Sequence, residues 1–208
     1  SSYCAAIVIR TFAQSDVEQM AAAAGVPVIN ALTDDHHPCQ ALADVLTLRE
    51  RFGELDGLPV AYVGDGNNVA HSLIEAAALT GIDLRLACPE GFRPNPEIAP
   101  DANVVDDPRE AVAGARAVYT DVWVSMGDPE SERQRRMSAL EPYRVTPELM
   151  SLAAPDAVFL HCLPAHRGEE VDAAVIDGPQ SAVFDQAANR LPTEQAALYA
   201  LVTGDWEA

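Results

Sequence analysis

The stretch LPVAYVGDGNNVAHSLIEAAALTGIDLRLAC, Leu58 to Cys88, decides the fold class. Leu58 to Gly64 is a short apolar run rich in β-branched and aromatic residues, which reads as a buried strand. Asn68 to Thr80 carries helix formers and stops at Gly81, and Ile82 to Cys88 reads as a second strand. Two strands joined by a helix of this length pair in parallel, through a right-handed crossover.

The same alternation extends both ways. Downstream, Asp107-Pro108 is predicted to cap a helix, Ala115 to Asp121 (ARAVYTD) to form a strand, and Pro147 to open another helix. Asp156 to Cys162 (DAVFLHC) and Ser181 to Asp185 (SAVFD) read as further strands, and Thr193 to Val202 as a last helix. Upstream, Ala5 to Ile9 and Val26 to Asn30 read as strands around an alanine-rich helix that ends at Gly25, with Ser15 and Glu18 as its capping box. Pro38 opens a helix with Leu42, Val45, Leu46 and Phe52 at helical spacing and Gly53 as its stop. Two stretches stay irregular, Pro89 to Pro100 and Ser125 to about Glu132. The expectation is an α/β fold, a doubly wound parallel sheet with helices on both faces, plus a remnant of a second α/β domain.

Composition narrows the function classes. The chain has 208 residues, 49% of them hydrophobic, enough for a real core. A formal net charge of -19 disfavours nucleic acid and anionic membrane surfaces as partners, yet leaves room for small anions held by local arginines. The four cysteines, Cys4, Cys39, Cys88 and Cys162, form no CxxC pair, which fits a reducing cytoplasmic setting better than a disulfide framework. Neither a membrane span nor a signal peptide is predicted. The apolar run already present at Ala5 to Ile9 reads as the interior of a domain rather than its start.

Ligands of an open parallel sheet bind beyond the carboxyl ends of its strands. The unusual polar residues fall at such ends: GDGNN at 64–68, DVWVSMG at 121–127 and HCLPAHRGEEV at 161–171. The first has two glycines of a dinucleotide fingerprint, but Val69 stands where the third belongs and no acidic residue closes the next strand, so nicotinamide binding is disfavoured. A metal or a Cys–His nucleophile in the last stretch meets one objection: His161 and Cys162 are neighbours at a strand end, where successive side chains point to opposite faces. HPCQ at 37–40 places a histidine at a helix N-terminus, where free N–H groups favour an anion or a polarised carbonyl, with Gln40 one turn on.

Taken in order, IRTF at Arg10, HPCQALAD at His37, GDGNNVAHS at Asn68, DVWVSMG at Asp121, HCLPAHRGEEV at Cys162 and AANR at Arg190 resemble the aspartate/ornithine carbamoyltransferase family. DVWVSMG and HCLP are similar to its ornithine branch. The resemblance spans almost the whole chain, but no stretch matches the family's Ser-x-Arg-Thr-Arg phosphate loop. It implies transfer of a carbamoyl group from carbamoyl phosphate to the δ-amino group of L-ornithine, giving citrulline and phosphate, with no metal and no organic cofactor. The residues implied around the amine are Asp121 and Cys162. Asn68, Ser125 and Met126 are implied at the amino-acid end, with the Leu163 carbonyl near the amine. On the carbamoyl-phosphate side the resemblance implies Arg10, His37, Gln40, Cys162, Leu163 and Arg190, and catalytic roles for Asp121, Cys162, His37 and Arg190. His161, His166 and the glutamates would be structural. The SMG loop would be mobile without ornithine and close on it.

The implied organisation is a C-terminal remnant of a carbamoyl-phosphate domain at 1–36, a linking helix at 37–52, an ornithine-binding domain at 53–188 and a returning C-terminal helix at 189–208. Family members form homotrimers through the other domain. As 208 residues without the phosphate loop, the chain is expected to bind ornithine weakly, turn over negligibly and self-associate. Two alternatives stay open: a carbamoyltransferase for another amine (putrescine or an acylated ornithine), and a non-catalytic amino-acid-binding module.

Overall fold

The computed structural model describes residues 2–124 and 130–206. A two-stranded parallel pair comes first, β1 (Ile7–Arg10) and β2 (Val28–Leu32), joined by α1 (Gln14–Ala23). Helix α2 (Pro38–Phe52) leads from it to β3 (Pro59–Val63), α3 (Asn68–Thr80), β4 (Asp83–Ala87) and a two-residue β5 (Val104–Val105). Then follow α4 (Pro108–Val112), β6 (Ala117–Tyr119), α5 (Glu130–Leu140), α6 (Pro147–Met150), β7 (Val158–Leu160), α7 (Ala173–Ile176) and α8 (Val183–Thr203). Five strands form one parallel sheet in the order β5-β4-β3-β6-β7. The order reverses between β3 and β6, so the crevice outside their carboxyl ends is the place for a ligand.

Both faces of this sheet are covered, and the side chains alternate between them. Val60, Tyr62, Ala117, Tyr119, Val158 and Leu160 pack into one apolar cluster with Leu48 of α2 and Leu73 of α3. The intervening Ala61, Val63, Val118 and Phe159 pack into the other, with Val112 of α4, Met150 of α6 and Ile176 of α7. The continuous apolar runs in the sequence are the trace of this two-sided burial. Each fully buried Leu or Phe contributes roughly 1.5–3 kcal/mol.

Several sequence-based expectations hold to the residue. Helix α3 begins at Asn68 and ends on Gly81, Pro38 is the first residue of α2, and Asp107 Oδ1 accepts the Arg109 N–H at 2.8 Å. Others fail. Ser15 is no cap: α1 starts at Gln14 behind Ala13, because the Gln14 Oε1 is held by Thr33 (2.9 Å) and Asn30 (3.2 Å), which draws the helix start forward. Ser181 to Asp185 is no strand: Ser181 makes a single bridge to Phe159 and the chain then enters α8, which starts ten residues before the predicted Thr193. A short apolar run suits either element, and here Val183 and Gln186, three apart, are both buried. Helix α5 lies within and beyond the stretch read as irregular. Its three arginines, Arg133, Arg135 and Arg136, all find partners elsewhere in the fold or on the helix itself.

Gly66 has a steric role that no dinucleotide is needed to explain. A Cβ there would lie 2.4 Å from the Pro94 backbone nitrogen, so the loop at 93–94 can cross only over a glycine. Gly66→Ala is expected to destabilise the fold by about 1–3 kcal/mol or more, the usual scale of overpacking, seen as a lower denaturant midpoint with unchanged slope.

Candidate active site

Three loops converge where β3, β6 and β7 end. Asp121 follows β6 and is buried. By alternation it falls on the face of Tyr119, as Cys162 falls on the face of Leu160. The Cys162 thiol donates to Asp121 Oδ1 at 2.9 Å, and the Asn67 amide donates to Oδ2 at 2.7 Å. Asn67 cannot turn away: its own Oδ1 accepts the N–H groups of Val69 (3.0 Å) and Ala70 (3.3 Å) as the cap of α3. The helix start therefore orients a donor at the carboxylate. Burial first, then the Asp121 charge, raises the Cys162 pKa well above the ordinary thiol value, so the sulfur stays protonated and is no ready nucleophile.

His161 turns the other way. Its Nδ1 accepts the Leu163 N–H at 2.9 Å, so the ring proton sits on Nε2, 3.3 Å from Oε1 of the fully buried Glu170. The same Glu170 oxygen accepts the His166 N–H at 2.5 Å. His161 and Glu170 thus brace the 161–171 loop, in which Leu163 is held at φ 58 before a cis proline. That φ is unusual for a side chain of this size. The objection to a metal was nonetheless too strong, for a ring nitrogen of His161, the Cys162 sulfur and an Asp121 oxygen lie within 4.8 Å of one another. The sulfur and Oδ1 of Asp121 are hydrogen-bonded to each other, and His161 Nδ1 to the Leu163 N–H.

A second group faces the first from α2 and α8. His37 is buried at the N-terminus of α2, and its backbone N–H donates to Ser72 Oγ at 2.7 Å. Burial lowers its pKa to about 4; Arg190 and Arg10 push the same way, and Asp121 opposes them. His37 is therefore neutral at pH 7, and its Nδ1 is buried with no partner among the described residues. Gln40 Oε1 accepts from Arg190 Nη1 at 2.7 Å, and Arg190 also binds Glu194. Arg10, exposed at the end of β1, reaches this group only electrostatically, through His37.

Among the residues singled out from the sequence, the structure joins Asp121 with Cys162 and Gln40 with Arg190, and puts His37 in the field of Asp121, Arg190 and Arg10. Leu163 adjoins Cys162. Asn68 is on the same rim; one N–H of its amide is taken by the Thr33 carbonyl at 2.7 Å, which leaves its second N–H and its oxygen. Ser125 and Met126, and the SMG loop whose closure the resemblance implies, lie outside the described residues. Asn67 was missed, although an Asn directly before a helix is itself a cap signal. Asp44 and Gln186 were missed because only the folded chain brings them together.

Two outcomes follow. Asn67→Asp keeps the cap but sets a second carboxylate against Asp121. Its melting temperature is expected to fall at pH 8 and to recover as pH is lowered, because like charges held together raise a carboxyl pKa in the folded state and that repulsion is relieved on protonation. Iodoacetamide should label Cys162 slowly at pH 8, and Asp121→Asn should speed it, since one charge that keeps the thiol protonated is gone.

Comparison with known proteins finds relatives over nearly the whole chain. Residues 56–201 match the model of the aspartate/ornithine carbamoyltransferase Asp/Orn binding domain, and residues 1–50 that of the family's carbamoyl-P binding domain. The chain is 54% identical to an ornithine carbamoyltransferase of Symbiobacterium thermophilum, across 95% of this chain and 67% of that protein. It is 50% identical to one of Gloeobacter violaceus, across 97% and 68%. Among solved structures, the ornithine carbamoyltransferase of Thermus thermophilus superposes with a TM-score of 0.90 at 48% identity, across 97% of this chain and 68% of that one. That of Pyrococcus furiosus gives 0.91 at 47%, across 98% and 68%. The chain thus spans about two thirds of the length of each.

Proposed function

The chain belongs to the aspartate/ornithine carbamoyltransferase family, and from that premise we propose that it transfers a carbamoyl group from carbamoyl phosphate to the δ-amino group of L-ornithine. The observation that carries this reading is the opposition of two sets at one sheet edge. Asp121, tied to Cys162 and Asn67, faces the neutral His37 with Gln40 and Arg190.

The nucleophile must be a neutral amine. An alkylammonium of pKa ~10.4 costs about 4–5 kcal/mol to deprotonate at pH 7. The Asp121 carboxylate attracts the ammonium, and its lone pairs beyond the two already used can hold the leaving proton. A thiol kept protonated beside it adds no competing negative charge. The δ-nitrogen bonds to the carbamoyl carbon, the carbon–oxygen bond to phosphate breaks, and the nitrogen's proton leaves to phosphate or solvent. Charge grows on the carbamoyl oxygen during attack, where Arg10, Arg190 and the N–H of a neutral His37 stabilise it. Gln40 and the Leu163 carbonyl orient the carbamoyl NH2, and Asn68, with Ser125 and Met126, takes the amino-acid end. Positioning supplies much of the rate.

The division at 1–36, 37–52, 53–188 and 189–208 belongs to the same proposal, as do a cytoplasmic setting and a homotrimer for the full-length family member. Among the described residues no helix is long and apolar enough to cross a membrane.

Calorimetry with L-ornithine beside a citrulline assay with carbamoyl phosphate tests the reading. Citrulline formation that falls about 10²–10³-fold in His37→Ala, the cost of losing one oxyanion donor, supports transfer. Ornithine binding with no citrulline supports the amino-acid-binding module, and turnover of putrescine or an acylated ornithine in its place supports the related transferase.

A further inference from the structure

One buried carboxylate has no place in the chemistry above. Asp44, on α2 one turn after Gln40, is 1% exposed. Its Oδ1 accepts from Gln40 Nε2 at 2.8 Å and from Gln186 Nε2 at 2.6 Å. Each of these amides is engaged at its other end. The Gln40 oxygen accepts from Arg190, and the Gln186 oxygen accepts the backbone N–H of His161 at 2.9 Å, next to Cys162 and Leu163.

An amide can turn about its last bond and exchange oxygen for NH2 at little cost to packing. A buried anion removes that freedom, because only NH2 groups are tolerated against it. Both glutamine oxygens must then point outward, one at the guanidinium and one at the end of β7. The arrangement joins α2, α8 and β7 through a single charge, and these elements carry residues of both proposed substrate sides.

We propose that Asp44 is a positioning residue: its carboxylate sets the polarity of Gln40 and Gln186, and through them fixes Arg190 and the His161–Leu163 strand end in register. The inference rests on the carbamoyl-transfer reading for its functional consequence, though not for its geometry. The charged or titratable groups around Asp44 are Arg190 on α8, Tyr119 on β6 and Cys162 in the loop after β7. Burial raises its pKa to about 6, against the hydrogen bonds from Gln186 and Gln40 and the Arg190 charge. Ionisation therefore costs stability as pH rises through about 6, and a neutral replacement is spared that cost.

Asp44→Asn separates positioning from scaffolding. At pH 8 its melting temperature is expected to equal or exceed that of the parent chain. Citrulline turnover should fall by about 10- to 100-fold, the scale on which outer partners of a site act, with the KM for ornithine unchanged. A parallel fall of melting temperature and turnover, or unaltered turnover in an active parent, overturns the proposal. A readout independent of activity is the side-chain ¹⁵N spectrum. The Gln40 and Gln186 amides and the Arg190 Nε should shift together with a midpoint near pH 6 in the parent and stay still in Asp44→Asn. Absence of that joint shift overturns the Asp44 assignment, whereas its presence in a chain that makes no citrulline removes only the transfer reading.

Discussion

The site depends on a carboxylate held from both sides. Asp121 ends a central strand, and its two oxygens are claimed by Asn67 from the loop after β3 and by Cys162 from the loop after β7. Neither partner is free to choose another geometry. Asn67 is committed to the cap of α3, and Cys162 is fixed by strand alternation on the face of Leu160. The reversal of strand order between β3 and β6 leaves the gap in which such a carboxylate can meet a ligand.

Electrostatics divides the site into two halves with different tasks. Beside the carboxylate the thiol is kept neutral, so negative charge is concentrated on Asp121. Across from it the histidine is kept neutral by burial and by two arginines, so positive charge is concentrated on Arg190 and Arg10. A chain of net charge -19 thus sets two arginines in the field of His37, while the histidine and the thiol of the site are both kept neutral, chiefly by burial.

Much of this was legible in the sequence. The helix from Asn68 to Thr80 is bounded by a cap and a glycine, and the short apolar runs of β3 and β7 alternate with helices as a parallel sheet requires. The sheet rule then gathered 64–68, 121–127 and 161–171 without any structure. What stayed hidden depends on tertiary contacts. Gln14 draws α1 forward through Asn30 and Thr33, which no local cap signal reveals. Val183 enters a helix because it buries in the cluster with Phe159 and Ile176 while Gln186, one turn on, reaches Asp44 of α2, although the same residues suit a strand. Asp44 and Gln186 are 142 positions apart, and neither has a pattern of its own that announces the other.

The arginines of α5 show how far the positioning reaches. Arg136 binds the Trp123 carbonyl at 2.6 Å and pairs with Asp65, while Arg133 donates to Glu169 at 2.7 Å. One helix thus grips residues just past β6, in the loop after β3 and in the loop after β7, the same three loops that meet at Asp121. Guanidinium forks suit this use because each presents several donors in a fixed plane. The constraint at the carboxylate is therefore not local. It is repeated one layer out, so a shift of any single loop must break contacts at two levels.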